Sequence, residues 1–185
     1  MKEYRVKPGS QLNLDTCDPD DTGEYKNTDQ SKEKAKAVTG QLIGRLEALQ
    51  ERLYANGDRA VLIVLQGMDT SGKDGTIKHV MSGVNPQGCH VVSFKAPSSE
   101  ELGHDFLWRV HQKAPSHGQI GIFNRSHYED VLITRVHGWV SDKVVKQRFN
   151  QIKEFEELLD ENGTTMLKFF LHISKEEQKA RLEAR

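Results

Sequence analysis

From Ser31 onward, apolar residues recur at Ala35, Val38, Leu42, Leu46, Leu49 and Leu53, at steps of three and four. This is the period of one helix face, so the pattern predicts a long amphipathic helix. Ser31 serves as its N-cap, Asn56-Gly57 stops it, and its stripe is expected to pack against its own domain. Before it, residues 1–30 are rich in Asp, Thr, Gly and Asn without periodicity, and read as an N-terminal arm. After it the period changes. Residues 60–65, A-V-L-I-V-L, have no polar alternation and are rich in β-branched side chains, as a buried parallel strand requires.

Three further strands are predicted in the same way: residues 89–94 opened by Gly88, residues 118–123, and residues 164–173. Helices fall between them. Ser98 and Glu101 have the capping-box spacing and open a helix that ends before Pro115, with Phe106 and Trp108 as core residues. A helix through Val131 and Val136 runs to Gly138. A longer one from Ser141 buries Val145, Phe149, Ile152 and Leu159 and stops at Asn162-Gly163. Ser174 and Glu177 form a second capping box. Strands alternating with helices imply an α/β fold, a parallel sheet covered on both faces with ligands at the carboxyl ends of its strands, preceded by the long helix.

Composition narrows the setting. In 185 residues, 36% hydrophobic and 29% charged, there is room for one globular domain, expected at 31–185. No run reaches the ~18 apolar residues of a membrane span, and the first ten residues lack a signal-peptide core, so a cytoplasmic, membrane-free protein is expected. A net charge of -1 offers no global field for nucleic acid, and an anionic substrate must be met by local charge. Cys17 and Cys89 form no metal or disulfide pattern, and the eight histidines show no ligand spacing.

The chemistry is concentrated after the first strand. Gly67-Met68-Asp69-Thr70-Ser71-Gly72-Lys73-Asp74 fits G-x-x-x-x-G-K at a strand-to-helix junction, the context in which backbone amides, a helix N-terminus and a lysine cradle phosphate. Lys73 is expected as a solvent-facing charge. Asp74 stands where a Mg²⁺-holding Ser or Thr is usual, and it serves either the ion or the helix dipole. Asp69 within the loop argues for Mg²⁺, since a carboxylate beside phosphate needs a cation between them. The third strand leads into Asn124, Arg125, Glu129 and Asp130. Asn124 occupies the tip where kinases often place a metal-binding carboxylate, Glu129 or Asp130 is positioned to substitute, and Arg125 can neutralise a transferring phosphoryl group. Lys95, Arg109 and Arg135 add positive charge near strand ends, and Lys95 and Arg135 are taken as phosphate-binding candidates.

Five ordered segments, V-L-Q-G-M-D-T-S-G-K-D-G, S-G-V-N-P-Q-G, H-D-F-L-W-R, G-I-F-N-R-S-H-Y-E-D-V-L and L-H-I-S-K-E-E-Q, resemble the type-2 polyphosphate kinases from about residue 30 to the end. The resemblance implies a thymidylate kinase-like fold and Mg²⁺-dependent phosphoryl transfer between inorganic polyphosphate and ADP, AMP or ATP. It implies phosphate and metal roles for Lys73 and Asp69 and a catalytic role for Arg125. Asn124 in place of aspartate resembles the subgroup acting on nucleoside mono- and diphosphates, which makes Asp130 the second metal or catalytic carboxylate. Family members continue beyond the helix opened at Ser174 into a basic lid. The sequence stops inside that helix, so either a form lacking the lid or a fragment of a longer chain is expected, with an open sheet edge that a homo-oligomeric partner can cover. The alternatives are an ATP-dependent nucleotide kinase and a non-catalytic nucleotide- or polyphosphate-binding protein.

Overall fold

The computed structural model describes residues 4–185. Helix α1 spans Asp29–Asn56, and its N-cap is Thr28 rather than Ser31: the Thr28 side chain accepts from Ser31 N, while Ser31 Oγ accepts from Lys26 N. Gly57 ends the helix at φ +65°, a left-handed value that glycine adopts without strain. The apolar stripe is less covered than expected, with Leu42 and Leu49 exposed. The helix is held instead near its C-terminal half. Gln50 is buried and its Oε1 accepts from Asn85 N at 3.3 Å, and a Cβ on Gly88 would lie 1.9 Å from Gln50 Nε2.

Strands β1 (Ala60–Gly67), β2 (Cys89–Ser93), β3 (Ile120–Asn124) and β4 (Thr164–Leu171) form one parallel sheet in the order β2-β3-β1-β4. With β3 on one side and β4 on the other, β1 is central, which is why its sequence shows no polar alternation. Leu62, Val64, Phe94, Val110, Phe123, Phe155 and Leu159 make the core on one face, and Leu65, Ile120 and Ile122 pack with Leu53, Ile77 and Met81 on the other. Each such buried side chain contributes roughly 1.5–3 kcal/mol relative to exposure. Coverage fails at β4, an edge strand on which Leu167, Phe169 and Phe170 are exposed.

The crossovers are α2 (Lys73–Val80), α3 (Ser99–Leu102), α4 (Trp108–His111), α5 (Glu129–Val136) and α6 (Asp142–Glu161), and α7 (Lys175–Glu183) follows β4. The single helix expected before Pro115 is two short ones. The capping box at Ser98 and Glu101 forms, but α3 ends at Gly103, and Asp105 starts the chain afresh by accepting from Leu107 N and Trp108 N. Phe106 packs beside Val131, Val145 and Ile152, whereas Trp108 is half-buried and stacks on His104. On α6 the buried face runs through Val145, Ile152, Phe155 and Leu159, leaving Phe149 to one side and exposed. The second capping box is half made: Ser174 Oγ accepts from Glu177 N, but Glu177 turns its carboxylate to Arg181 Nε at 2.6 Å.

Candidate active site

Parallel register brings three strand ends together, since Asn124 lies opposite both Leu65 of β1 and Ser93 of β2. The segments leaving these strands, Gly67–Lys73, Phe94–Lys95 and Asn124–Arg125, enclose a cleft of about 410 Å³. Asp69, Thr70, Ser71, Gly72, Lys73, Asp74, Lys95, Asn124 and Arg125 all line it. The loop after β1 curls back tightly: Ser71 N donates to Met68 O at 3.1 Å, Thr70 has φ +62° and Gly72 has φ +95°. A left-handed threonine is an uncommon, strained conformation of the kind that persists at functional loops.

Lys73 is not solvent-facing. Its side chain is buried, with Nζ donating to Gly67 O at 2.9 Å, Met68 O at 3.0 Å and Ser71 Oγ at 3.3 Å. Burial, and then the charge of Arg125, push its pKa below the ordinary lysine value, while Asp69, Glu129 and Asp74 partly oppose this. The ammonium is therefore poorly compensated where it sits, and an anion entering the loop would relieve it.

Opposite, Asn124 Nδ2 donates to Asp74 Oδ1 at 2.6 Å, and Arg125 lies 4.0 Å from Asp69. Arg125 itself has φ +64°, and its backbone N–H donates to Leu65 O at 3.1 Å. Asp69, Asp74 and the Asn124 amide supply hard oxygen donors suited to a divalent cation at the cleft. Among the described residues, no group of three or more His, Cys, Asp or Glu side chains is gathered to hold a metal. A cation here would therefore complete its shell from phosphate oxygens and water.

Two expected members stand elsewhere. Asp130 does not line the cleft; its carboxylate lies 3.7 Å from Arg109 and 3.9 Å from Arg148, and Arg148 also donates to its backbone oxygen. Burial raises the Asp130 pKa, a shift that Arg109 and Arg148 oppose. Two guanidiniums flank this carboxylate at ion-pair distance, and its Oδ2 is buried without a hydrogen-bond partner among the described residues. Arg135 is exposed and paired with Asp142 at 3.2 Å. Gly67 and Met68 belong to the loop without lining the cleft.

The sequence reading missed the brace behind the loop. From α7, Gln178 Nε2 donates to Asp69 O at 3.1 Å and Arg181 Nη1 to Thr70 O at 3.0 Å, while Arg185 lines the cleft. The signal was the strand order. A helix leaving β4, next to β1, must start beside the loop leaving β1.

Next to the Arg125 turn lies a polar cluster between α6 and β4. His127 and Tyr128 meet the same oxygen, Glu156 Oε1, at 3.2 and 2.8 Å, and Lys168 Nζ donates to Glu156 Oε2 at 2.5 Å. Burial alone would raise the Glu156 carboxyl, but hydrogen bonds from His127, Lys168 and Tyr128 outweigh it and lower the pKa from 4.5 to about 2. A depressed carboxylate stabilises the fold above its unfolded pKa and loses that contribution as pH falls through the folded value. At ~1.4 kcal/mol per unit this amounts to about 3 kcal/mol. Glu156→Gln is therefore expected to melt below the parent at neutral pH, with the gap closing between about pH 4.5 and 2. A gap that stays constant down to the lower limit would show that the charge is not what stabilises.

Comparison with known proteins bears on what this cleft belongs to. The family model described as polyphosphate kinase 2 matches residues 29–185. The chain belongs to the polyphosphate kinase 2 family. An AMP/ADP-polyphosphate phosphotransferase of Meiothermus ruber is 54% identical over 185 residues, covering 100% of this chain and 68% of the relative. An ADP-polyphosphate phosphotransferase of Rhodopseudomonas palustris is 44% identical over 196 residues, covering 100% of this chain and 66% of the relative. The crystal structure of polyphosphate kinase 2 from Arthrobacter aurescens TC1 superposes with a TM-score of 0.92 at 44% identity, over 99% of this chain and 64% of that one. The chain thus spans about two thirds of the length of these relatives. Both the family and the kinase-like α/β fold expected from the five motifs are borne out.

Proposed function

We propose that this chain forms the phosphoryl-transfer core of a cytoplasmic polyphosphate:nucleotide phosphotransferase, whose domain opens with α1 and is preceded by an arm, residues 1–3 of which lie outside the described residues. Transfer runs in line from polyphosphate to ADP or AMP without a covalent enzyme intermediate. The observation that carries the reading is the buried Lys73 ammonium, held by loop carbonyls and facing Arg125 across the cleft. The loop amides and Lys73 bind the phosphates, Arg125 and Lys95 neutralise negative charge from the opposite wall, and α7 fixes the loop from behind. The names of the relatives, which specify AMP and ADP, support these acceptors.

Among the described residues, no helix is long and apolar enough to cross a membrane. The exposed β4 edge supports a second copy of the chain as a partner. Donor identity is tested by supplying ADP with long-chain polyphosphate, or AMP with ATP, and measuring the nucleotide formed. Product from polyphosphate is expected, and product from ATP alone would transfer the assignment to an ATP-dependent nucleotide kinase.

Asp69 and Asp74, with Asn124 beside them, would hold Mg²⁺ in the cleft, where the ion would offset the negative charge of the phosphates. Asn124→Asp would set a second carboxylate against Asp74, where the amide now donates at 2.6 Å. Two like charges so close favour an intervening cation. Isothermal titration is expected to show tighter Mg²⁺ binding in Asn124→Asp, and an unchanged affinity would remove Asn124 and Asp74 from the metal site.

A further inference from the structure

Arg125 bears a Cβ at φ +64°, a left-handed conformation that persists only where its surroundings over-determine it. On its N-terminal side the backbone bond to Leu65 O provides one constraint. On its C-terminal side, Ser126 and His127 are fully buried, and Ser126 Oγ accepts from Tyr128 N at 3.2 Å. His127 is packed edge-on against Phe155 and bonded to Glu156, and the neighbouring Tyr128 donates to the same carboxylate oxygen. Lys168 closes the cluster from β4 by donating to Glu156 Oε2 and to Tyr128 Oη at 3.1 Å.

Two consecutive residues tied to one carboxylate cannot rotate independently, so the turn that follows Arg125 has a single setting. The Glu156 carboxylate is largely buried while Lys168 is about half exposed, and His127 and Tyr128 both direct their polar atoms to that one carboxylate. That convergence within three residues of a strained arginine points to a geometric task.

We propose that His127, Tyr128, Glu156 and Lys168 are positioning residues that hold Arg125 in its left-handed conformation, with the guanidinium directed at the loop of Lys73. The proposal rests on the reading of Arg125 as a phosphate contact. It has two separate readouts. The first is the backbone of ligand-free protein: the Arg125 amide and α-carbon chemical shifts, which report φ, are expected to move toward extended values in Glu156→Gln and in the milder Tyr128→Phe, while those of Gly72 stay in place.

The second is affinity for tripolyphosphate by isothermal titration. Arg125→Ala and Glu156→Gln are each expected to weaken binding about ten-fold, the loss of one charge-assisted contact. The double variant should bind no worse than Arg125→Ala alone, because the anchor acts through that side chain. Independent losses that multiply to about a hundred-fold would overturn the proposal, as would Arg125 shifts that stay at their parent values in both anchor variants. If Arg125→Ala binds as the parent does, the reading of Arg125 as a phosphate contact fails. The anchor is then judged by the chemical shifts alone.

Discussion

Lys73→Ala is expected to slow phosphoryl transfer by about 10² to 10³-fold, the usual loss when one preorganised charge-stabilising group is removed. The side chain already stands in the loop without substrate, donating to two carbonyls and a hydroxyl, and so needs little rearrangement to meet phosphate. Burial and the neighbouring Arg125 charge lower the Lys73 pKa, and a phosphate entering the loop would counter both. The substitution also leaves Gly67 O and Met68 O without this donor, so binding should weaken along with turnover. The measurement is nucleotide formation from polyphosphate beside a matched circular-dichroism melt. Undiminished turnover in a folded variant would remove Lys73 from the mechanism.

The second large effect is expected at Gly67→Ala. A Cβ there would meet Ser71 Oγ at 2.6 Å and the Leu171 backbone oxygen at 2.8 Å. Ser71 can rotate, but Leu171 is the β4 partner of Gly67 in the parallel ladder and cannot move without breaking the edge pairing. Overpacking of this kind costs about 1–3 kcal/mol. For a chain of this size that corresponds to a melting temperature lower by roughly 2–12 °C. The loop should open at the same time, because the residue displaced first, Ser71, accepts from Lys73 Nζ. Thermal melts with and without tripolyphosphate check both effects, and a variant that melts and binds like the parent would show that the strand-to-loop junction is looser than its geometry implies.

Much of this site was legible in the sequence because local rules determine it. The Gly67–Asp74 spacing, the unbroken apolar run before it and the polar residues after β3 each carry their own signal, and parallel strands bring such tips to one end. What was not legible depended on partners far along the chain. Asp130 follows Arg125 closely and carries the right chemistry, yet Arg109 and Arg148 from two other helices draw it into an ion cluster. Gln178 and Arg181 show no motif, and become visible as a brace only once β4 is known to lie beside β1. Phe149 and Ser31 failed for smaller reasons: a helical stripe has an edge, and two hydroxyl residues three positions apart compete for one N-cap.

The uneven attachment of α1 divides the molecule into parts of different cooperativity. Its C-terminal half is locked to the domain through Gln50, Asn85 and Gly88 and by Ile43 against Gly83, whereas the residues of its first two turns are mostly exposed. The amides of its first turns therefore exchange with solvent by local fraying, at a free energy far below that of the whole fold, whereas those of central β1 exchange only when the sheet itself opens. Substitutions in the first two turns of α1 are accordingly silent in a global melt, and their effect is confined to the exchange rates of the helix that carries them.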